Sequence, residues 1–214
     1  PYAQPPVGEL RWKAPQPVKP WEGVLEAKYF PHRAWQFVQE APKEGQGINY
    51  AREFYSNPSF MPPMDEDCLY LNIWVPENVQ SAAPVMLWVP GGAFATGGSG
   101  ALKPEGPTSY DCRQLAKDTG CIIVSISYRL NVFGFLNLSS FSSRFDDHIG
   151  MKDIIMAMRW VHDAISSFGG DPGNVTLFGE SAGGEAISAL LLIDEASPYF
   201  HKAIIQSNCF GSFY

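Results

Sequence analysis

The sequence predicts an α/β fold, a mostly parallel central sheet flanked by helices, and three observations carry that expectation. From residue 69 onward, short apolar strands alternate with helical segments, the order that builds layered α/β domains. The run Ile122 to Tyr128 (IIVSISY) is apolar at consecutive rather than alternate positions, as a strand covered on both faces requires. Between Met151 and Ser166, residues Ile154, Ile155, Met158, Val161 and Ile165 fall on one stripe at helical period, so one long helix can cover such a sheet.

The remaining elements follow in chain order. From Pro1 to about Met64 the text is rich in Pro, Gly and aromatic residues without sustained periodicity, and reads as short strands and long surface loops. Leu69 to Val75 (LYLNIWV) and Val85 to Val89 (VMLWV) are β-branched and aromatic, hence strands, the second running into a Gly-rich loop. A helix near Tyr110 to Asp118 is closed by Gly120. After the long helix come a strand at Val175 to Phe178, a helix at Ala182 to Leu192 and a fourth core strand at Ala203 to Gln206. No repeat, low-complexity tract or internal domain boundary interrupts them.

Bulk composition narrows the function classes. The 214 residues are 45% hydrophobic and 17% charged, which suits a packed core and not a disordered chain. Net charge is -7, with no cluster of Lys and Arg, so nucleic acid is not an expected partner. No apolar run approaches the ~18 residues of a membrane span. Cysteines 68, 112, 121 and 209 show neither C-x-x-C spacing nor a histidine at ligand spacing, so neither a dense disulfide framework nor a zinc site is expected and the thiols read as unpaired and buried. The chain opens on Pro1 without an initiator Met, which leaves compartment open, as oligomeric state also is.

One motif carries chemistry. Gly179-Glu180-Ser181-Ala182-Gly183 is a G-x-S-x-G lying between the strand VTLF and the helix AGGEAISALLL, the context of a nucleophile elbow. A turn that sharp holds the serine in a strained conformation at the carboxyl edge of the sheet, and it leaves no room for side chains at the flanking glycines. The amide of Ala182 and the positive end of the following helix then face the serine oxygen. A second donor is expected from a Gly-rich loop after an earlier strand, and VMLWV leads into Pro90-Gly91-Gly92-Ala93-Phe94. Asp194 and His201 cannot complete a local triad with Ser181. A helix of about eleven residues carries its far end roughly 16 Å from its start, against a hydrogen-bond reach of about 3 Å.

These motifs resemble the type-B carboxylesterase and cholinesterase family. The stretch from Phe168 to Gly183 is similar to the family's serine motif along its length, and Glu66-Asp67-Cys68-Leu69-Tyr70-Leu71-Asn72-Ile73-Trp74-Val75-Pro76 to its second one. Further similar text runs from Tyr2 to Trp12, at Tyr128-Arg129-Leu130, at Phe133-Gly134-Phe135-Leu136 and from Ala203 to Ser207, in family order. The resemblance implies an α/β-hydrolase fold, of which residues 1–214 are the N-terminal portion of a single domain whose C-terminal part is absent. It implies a serine carboxylic-ester hydrolase acting through an acyl-enzyme intermediate on a small-molecule ester, with no cofactor. Ser181 is then the nucleophile and the amides of Gly92, Ala93 and Ala182 form the oxyanion hole. Glu180 stands near the site. The acid and His of the triad come later in the family, so this portion alone is expected to be inactive. A non-catalytic adhesion or binding protein of the same family is the alternative. A third reading, a truncated product without an independent fold, predicts aggregation through exposed apolar surface.

Departures from the family pattern sharpen the expectations. Pro90-Gly91-Gly92-Ala93-Phe94 stands where a His-Gly-Gly-Gly-Phe text is usual, and the Ala93 methyl resists the positive φ that glycine adopts freely. Ala34 stands where the family has a cysteine bridged to the one at Cys68, so Cys68 is expected free. No counterpart of the choline-binding tryptophan occurs near Ser56-Asn57-Pro58. His148 replaces a usual Asn. By resemblance, Arg11 with Glu66 and Arg129 with Asp153 are ion pairs, both expected to be partly buried. His32, His162 and His201 read as surface residues. Asn137-Leu138-Ser139 and Asn174-Val175-Thr176 are glycosylation sequons, the second expected to be unmodified because a core strand holds it.

Overall fold

β-Branched residues at consecutive positions make Ile122–Ile126 a strand with no solvent face, and every one of its side chains is buried. The structure is a computed structural model and describes residues 1–37, 62–79, 81–99 and 111–208. Strands β1 (Leu71–Trp74), β2 (Ala83–Val89), β3 (Ile122–Ile126), β4 (Gly170–Glu180) and β5 (Lys202–Gln206) form one sheet in the order β1-β3-β2-β4-β5. β1 runs antiparallel to β3, and all other pairs are parallel. Leu87 pairs with Val124 on one side and Leu177 on the other, three residues with no solvent exposure. The predicted fold class, a mostly parallel sheet flanked by helices, is the one observed.

The helices are α1 (Arg113–Thr119), a single turn α2 (Asn131–Gly134), α3 (Ile149–Ala164) and α4 (Ala182–Leu190). α1 ends as predicted at Gly120, which takes a left-handed φ of 70° and donates its N–H to the Ala116 carbonyl at 3.0 Å. α3 begins two residues before the expected Met151, and its end tightens into a 3-10 turn at Ile165–Phe168. The stripe of Ile154, Ile155, Met158, Val161 and Ile165 is buried throughout. His148 precedes α3 at φ 48° and ψ 36°, a left-handed conformation in which Asn, Asp and His are the enriched non-glycine residues, so the exchange of Asn for His suits the backbone.

Three expectations are corrected. β4 is longer than Val175 to Phe178, because Asp171 to Asn174 bulge outward between the pairs Ala83↔Gly170 and Val85↔Val175. Pro172, which has no N–H to offer a ladder, sits inside that bulge. Second, β5 is no core strand: it lies at the edge of the sheet with β4 as its one neighbour, and Lys202, Ala203, Ile204 and Gln206 are exposed. Of its apolar residues only Ile205 is half-buried, packed against the core beside Gly184 of α4. Third, of the described thiols only Cys68 is buried, while Cys112 and Cys121 are half-buried; Cys68 is free, as the exchange at Ala34 predicts. Cys209 and the Ser56-Asn57-Pro58 stretch lie outside the described residues.

Before β1 the described residues form one 3-10 turn at Gly8–Leu10 and the isolated bridges Ala3↔Pro17 and Arg33↔Met64. Tyr2 pins this segment to the sheet, its hydroxyl donating to the Ser127 carbonyl at 2.6 Å and its amide to Leu69 at 3.1 Å. Both ion pairs form. Arg129 and Asp153 are buried, whereas in the second pair Glu66 is half-buried as expected and Arg11 is exposed, so that pair sits at the surface.

Candidate active site

Where β4 meets α4 the chain reverses through Ser181 at φ 53° and ψ −124°. A side chain in that region costs on the order of 1–3 kcal/mol and persists only where its surroundings hold it. The surroundings are three glycines from two segments. A Cβ on Gly179 would stand 2.7 Å from the Val89 carbonyl, and one on Gly183 would overlap that carbonyl and reach 3.0 Å from Pro90. Gly91 touches the elbow from the other side: its Cβ would overlap the Glu180 carbonyl and lie 3.3 Å from Ser181 Cβ. The Ser181 amide donates to Gln206 O of β5 at 2.9 Å, which ties the turn to the sheet. Ser181 is exposed at the carboxyl end of β4, and α4 begins directly behind it.

The loop after β2 is brought to the elbow through Gly91. Gly92 has φ 116°, Ala93 55° and Phe94 54°, so two consecutive residues with side chains occupy the left-handed region. Ala93 therefore adopts the conformation its methyl resists. The turn closes on one acceptor, with Gly92 O receiving the amides of Ala95 at 3.0 Å and Thr96 at 2.9 Å. Among the described residues, the amides of Gly92, Ala93 and Ala182 donate to no protein acceptor. They come from the two segments that Gly91 joins, and an anion beside Ser181 could take them up. Glu180 is half-buried, with Oε2 3.3 Å from the place a Gly91 Cβ would occupy.

Other sequence candidates sit elsewhere. His201 exchanges bonds with Val175, accepting its amide at Nδ1 at 3.1 Å and donating its own amide to the Val175 carbonyl at 2.8 Å. Val175 and Ser181 are separated by about 20 Å of extended strand, so His201 serves the opposite end of the sheet. Asp194 is exposed, as are His32 and His162, the latter bonded to neighbouring Asp163 at 3.1 Å. Asn174 holds Lys202 Nζ at 2.6 Å, and Asn137 is exposed. No group of three or more His, Cys, Asp or Glu able to hold a metal occurs among the described residues. No described helix is long and apolar enough to cross a membrane.

Sequence reasoning missed the side chains that support the Gly-rich loop. The Tyr128 hydroxyl, whose pKa burial pushes up, donates to the Pro90 carbonyl at 2.6 Å where the loop begins. At its other end Gln36 clamps Gly97, donating to its carbonyl at 2.8 Å and accepting its amide at 3.0 Å. Asn131 donates its backbone amide to Phe94 O at 2.9 Å. Contacts between residues this far apart in sequence leave no local pattern to read.

Comparison with known proteins extends the picture along the chain. A model described as the carboxylesterase family matches residues 1–213. The para-nitrobenzyl esterase of Bacillus subtilis (strain 168) is 43% identical over 208 residues, covering 97% of this chain and 38% of that protein. The acetylcholinesterase of Electrophorus electricus is 40% identical over 208 residues, covering 97% of this chain and 31% of that enzyme. Among solved structures, a thermophilic PNB esterase superposes with TM-score 0.80 at 41% identity, covering 96% of this chain and 38% of that one. The chain thus spans less than two fifths of the length of these relatives. With the sheet order, the strained serine turn and these likenesses in agreement, the chain belongs to the carboxylesterase family and carries part of its α/β-hydrolase fold.

Proposed function

We propose that this chain is the N-terminal portion of a single carboxylesterase domain that hydrolyses small-molecule carboxylic esters, with Ser181 as the nucleophile. The observation that carries the reading is an exposed serine on a strained strand-to-helix turn, packed against a loop whose amides at Gly92 and Ala93 have no acceptor among the described residues. Ser181 Oγ adds to the ester carbonyl, and the tetrahedral oxyanion accepts hydrogen bonds from Gly92, Ala93 and Ala182. The alcohol leaves with the proton taken from Ser181, and water then hydrolyses the acyl-serine. The general base and its acid lie on sequence beyond this portion, which by itself is inactive. No cofactor takes part, because the charge that develops is met by amides and the α4 dipole.

The full-length gene product tests this. Incubation with a fluorophosphonate is expected to label Ser181, with labelling and ester hydrolysis both abolished in Ser181→Ala, hydrolysis by on the order of 10⁶-fold. A second reading, a non-catalytic binding protein of the same family, draws on Pro90 and on Ala93 at positive φ. Folded full-length protein that leaves Ser181 unlabelled would favour it and end the esterase reading.

A further inference from the structure

The oxyanion loop holds two consecutive non-glycine residues, Ala93 and Phe94, in the left-handed region, and such backbone persists only where its surroundings over-determine it. Tyr128 and Gln36 fix Pro90 and Gly97, the two ends, and leave the middle to be explained. Besides the turn's own bonds to Gly92 O, the bonds that reach the middle come from Asn131. Its backbone amide donates to Phe94 O at 2.9 Å, and its side-chain Nδ2 donates to Ala95 O at 2.9 Å and to Trp35 O at 3.1 Å. Asn131 itself sits at φ 54° and is half-buried, a conformation that suits Asn and Gly better than other residues. One residue thereby fixes the carbonyls on either side of the Ala95 Cα and ties them to the Trp35 segment.

We infer that Asn131 is a positioning residue for ester hydrolysis: it holds the 93–95 backbone so that the Ala93 amide is aimed at the oxyanion formed at Ser181. This rests on the esterase reading and deepens it, because an alanine at a position that favours glycine needs an external clamp. The clamp acts on the charge that forms in the transition state rather than on the neutral ester, so its loss falls on kcat and not on KM.

The test uses the full-length gene product and a chromogenic aryl ester. Asn131→Gly keeps the left-handed backbone without strain and removes both Nδ2 bonds. Asn131→Asp keeps size and backbone preference but puts an acceptor where the donor was. Both variants are expected to lose about 10- to 100-fold in kcat with KM unchanged within about twofold. Affinity for a trifluoromethyl ketone, which adds to the serine and forms the oxyanion, falls by the same factor, while the melting temperature of Asn131→Gly stays near wild type. Wild-type kcat in Asn131→Gly overturns the inference, as does a rise in KM with kcat intact, or a loss in Asn131→Asp alone, which reports repulsion only. If the wild-type protein is labelled at Ser181 by a fluorophosphonate and the variants behave as wild type, this inference alone fails. If the wild-type protein is not labelled, the esterase reading has failed beneath it.

Discussion

Two arginine–carboxylate pairs with almost the same geometry sit in opposite environments. Arg129 meets Asp153 through Nε at 2.8 Å and Nη2 at 2.6 Å, and Arg11 meets Glu66 through Nε and Nη2, both at 2.6 Å. The first pair is sealed in the interior, with side chains 4% and 0% exposed; the second lies at the surface, at 42% and 19%. One cavity, lined by Arg11, Glu66, Ala34, Cys68 and Arg129, borders both pairs. What differs is water. Solvent competes for Arg11 and screens its attraction, whereas Asp153 has exchanged its hydration for Arg129 and has no replacement if that partner leaves. Burial pushes the Asp153 carboxyl up, against the pull of Arg129. Burial also weighs on the Arg129 guanidinium, whose value nonetheless rises because Asp153's charge and hydrogen bonds outweigh it.

The largest expected effect breaks the interior pair. Asp153 also accepts the Arg129 backbone amide at 3.1 Å, and the next residue back is Tyr128, which holds Pro90 of the Gly-rich loop after β2. Asp153→Ala leaves a buried guanidinium uncompensated and is expected to destabilise the full-length protein by about 3–5 kcal/mol in denaturant titrations. Replacing both partners by apolar residues, Arg129→Met with Asp153→Leu, is expected to regain much of that loss. Arg129 Nη1 already lacks a hydrogen-bond partner among the described residues, so the pair is not perfectly satisfied to begin with. A double variant as unstable as the single one would show that the attraction itself, and not the stranded charge, is what counts.

These pairs also show what a sequence discloses. Their partners were legible through resemblance, but the exposure of Arg11 was not, since exposure depends on what the 1–37 segment packs against. The buried stripe of α3 and the two-sided β3 were readable because periodicity reports burial directly. The same rule failed at β5, where apolar text stands in an edge strand and Ile205 alone is half-buried. At the site, the G-x-S-x-G turn announced itself because its glycines are needed by their own backbone. Tyr128, Gln36 and Asn131 did not, because what they hold lies 38, 61 and 36 residues away along the chain.

A middle-sized effect lies in the cavity between the pairs. Ala34 and Cys68 both line it, and both are almost fully buried. Ala34→Cys is expected to form a disulfide with Cys68 and raise stability by about 2–4 kcal/mol, read as a melting-temperature difference between oxidised and reduced protein. Burial pushes the Cys68 thiol well above its ordinary pKa, so little thiolate is available in the folded state. The bond is therefore expected to form during oxidative refolding and not on adding oxidant to native protein. Equal melting temperatures in both redox states would mean that strain cancels the gain and that the cavity does not bring the two residues into bonding geometry.

The smallest effect is at the surface, and salt separates it from the rest. Glu66→Gln keeps the shape of the side chain and removes its charge, so what disappears is attraction to a guanidinium that solvent already reaches. A slight fall in melting temperature is expected at low ionic strength. It is expected to vanish near 1 M salt, where screening acts over about 3 Å. The loss caused by Asp153→Ala is expected to persist at that salt concentration, because no ions enter the space between Arg129 and Asp153. A Glu66→Gln deficit that survives high salt would place the Arg11 contact, despite its exposure, in the same class as the interior pair. Burial would then have to be read from the cavity wall that Glu66 lines instead of from the open face of Arg11.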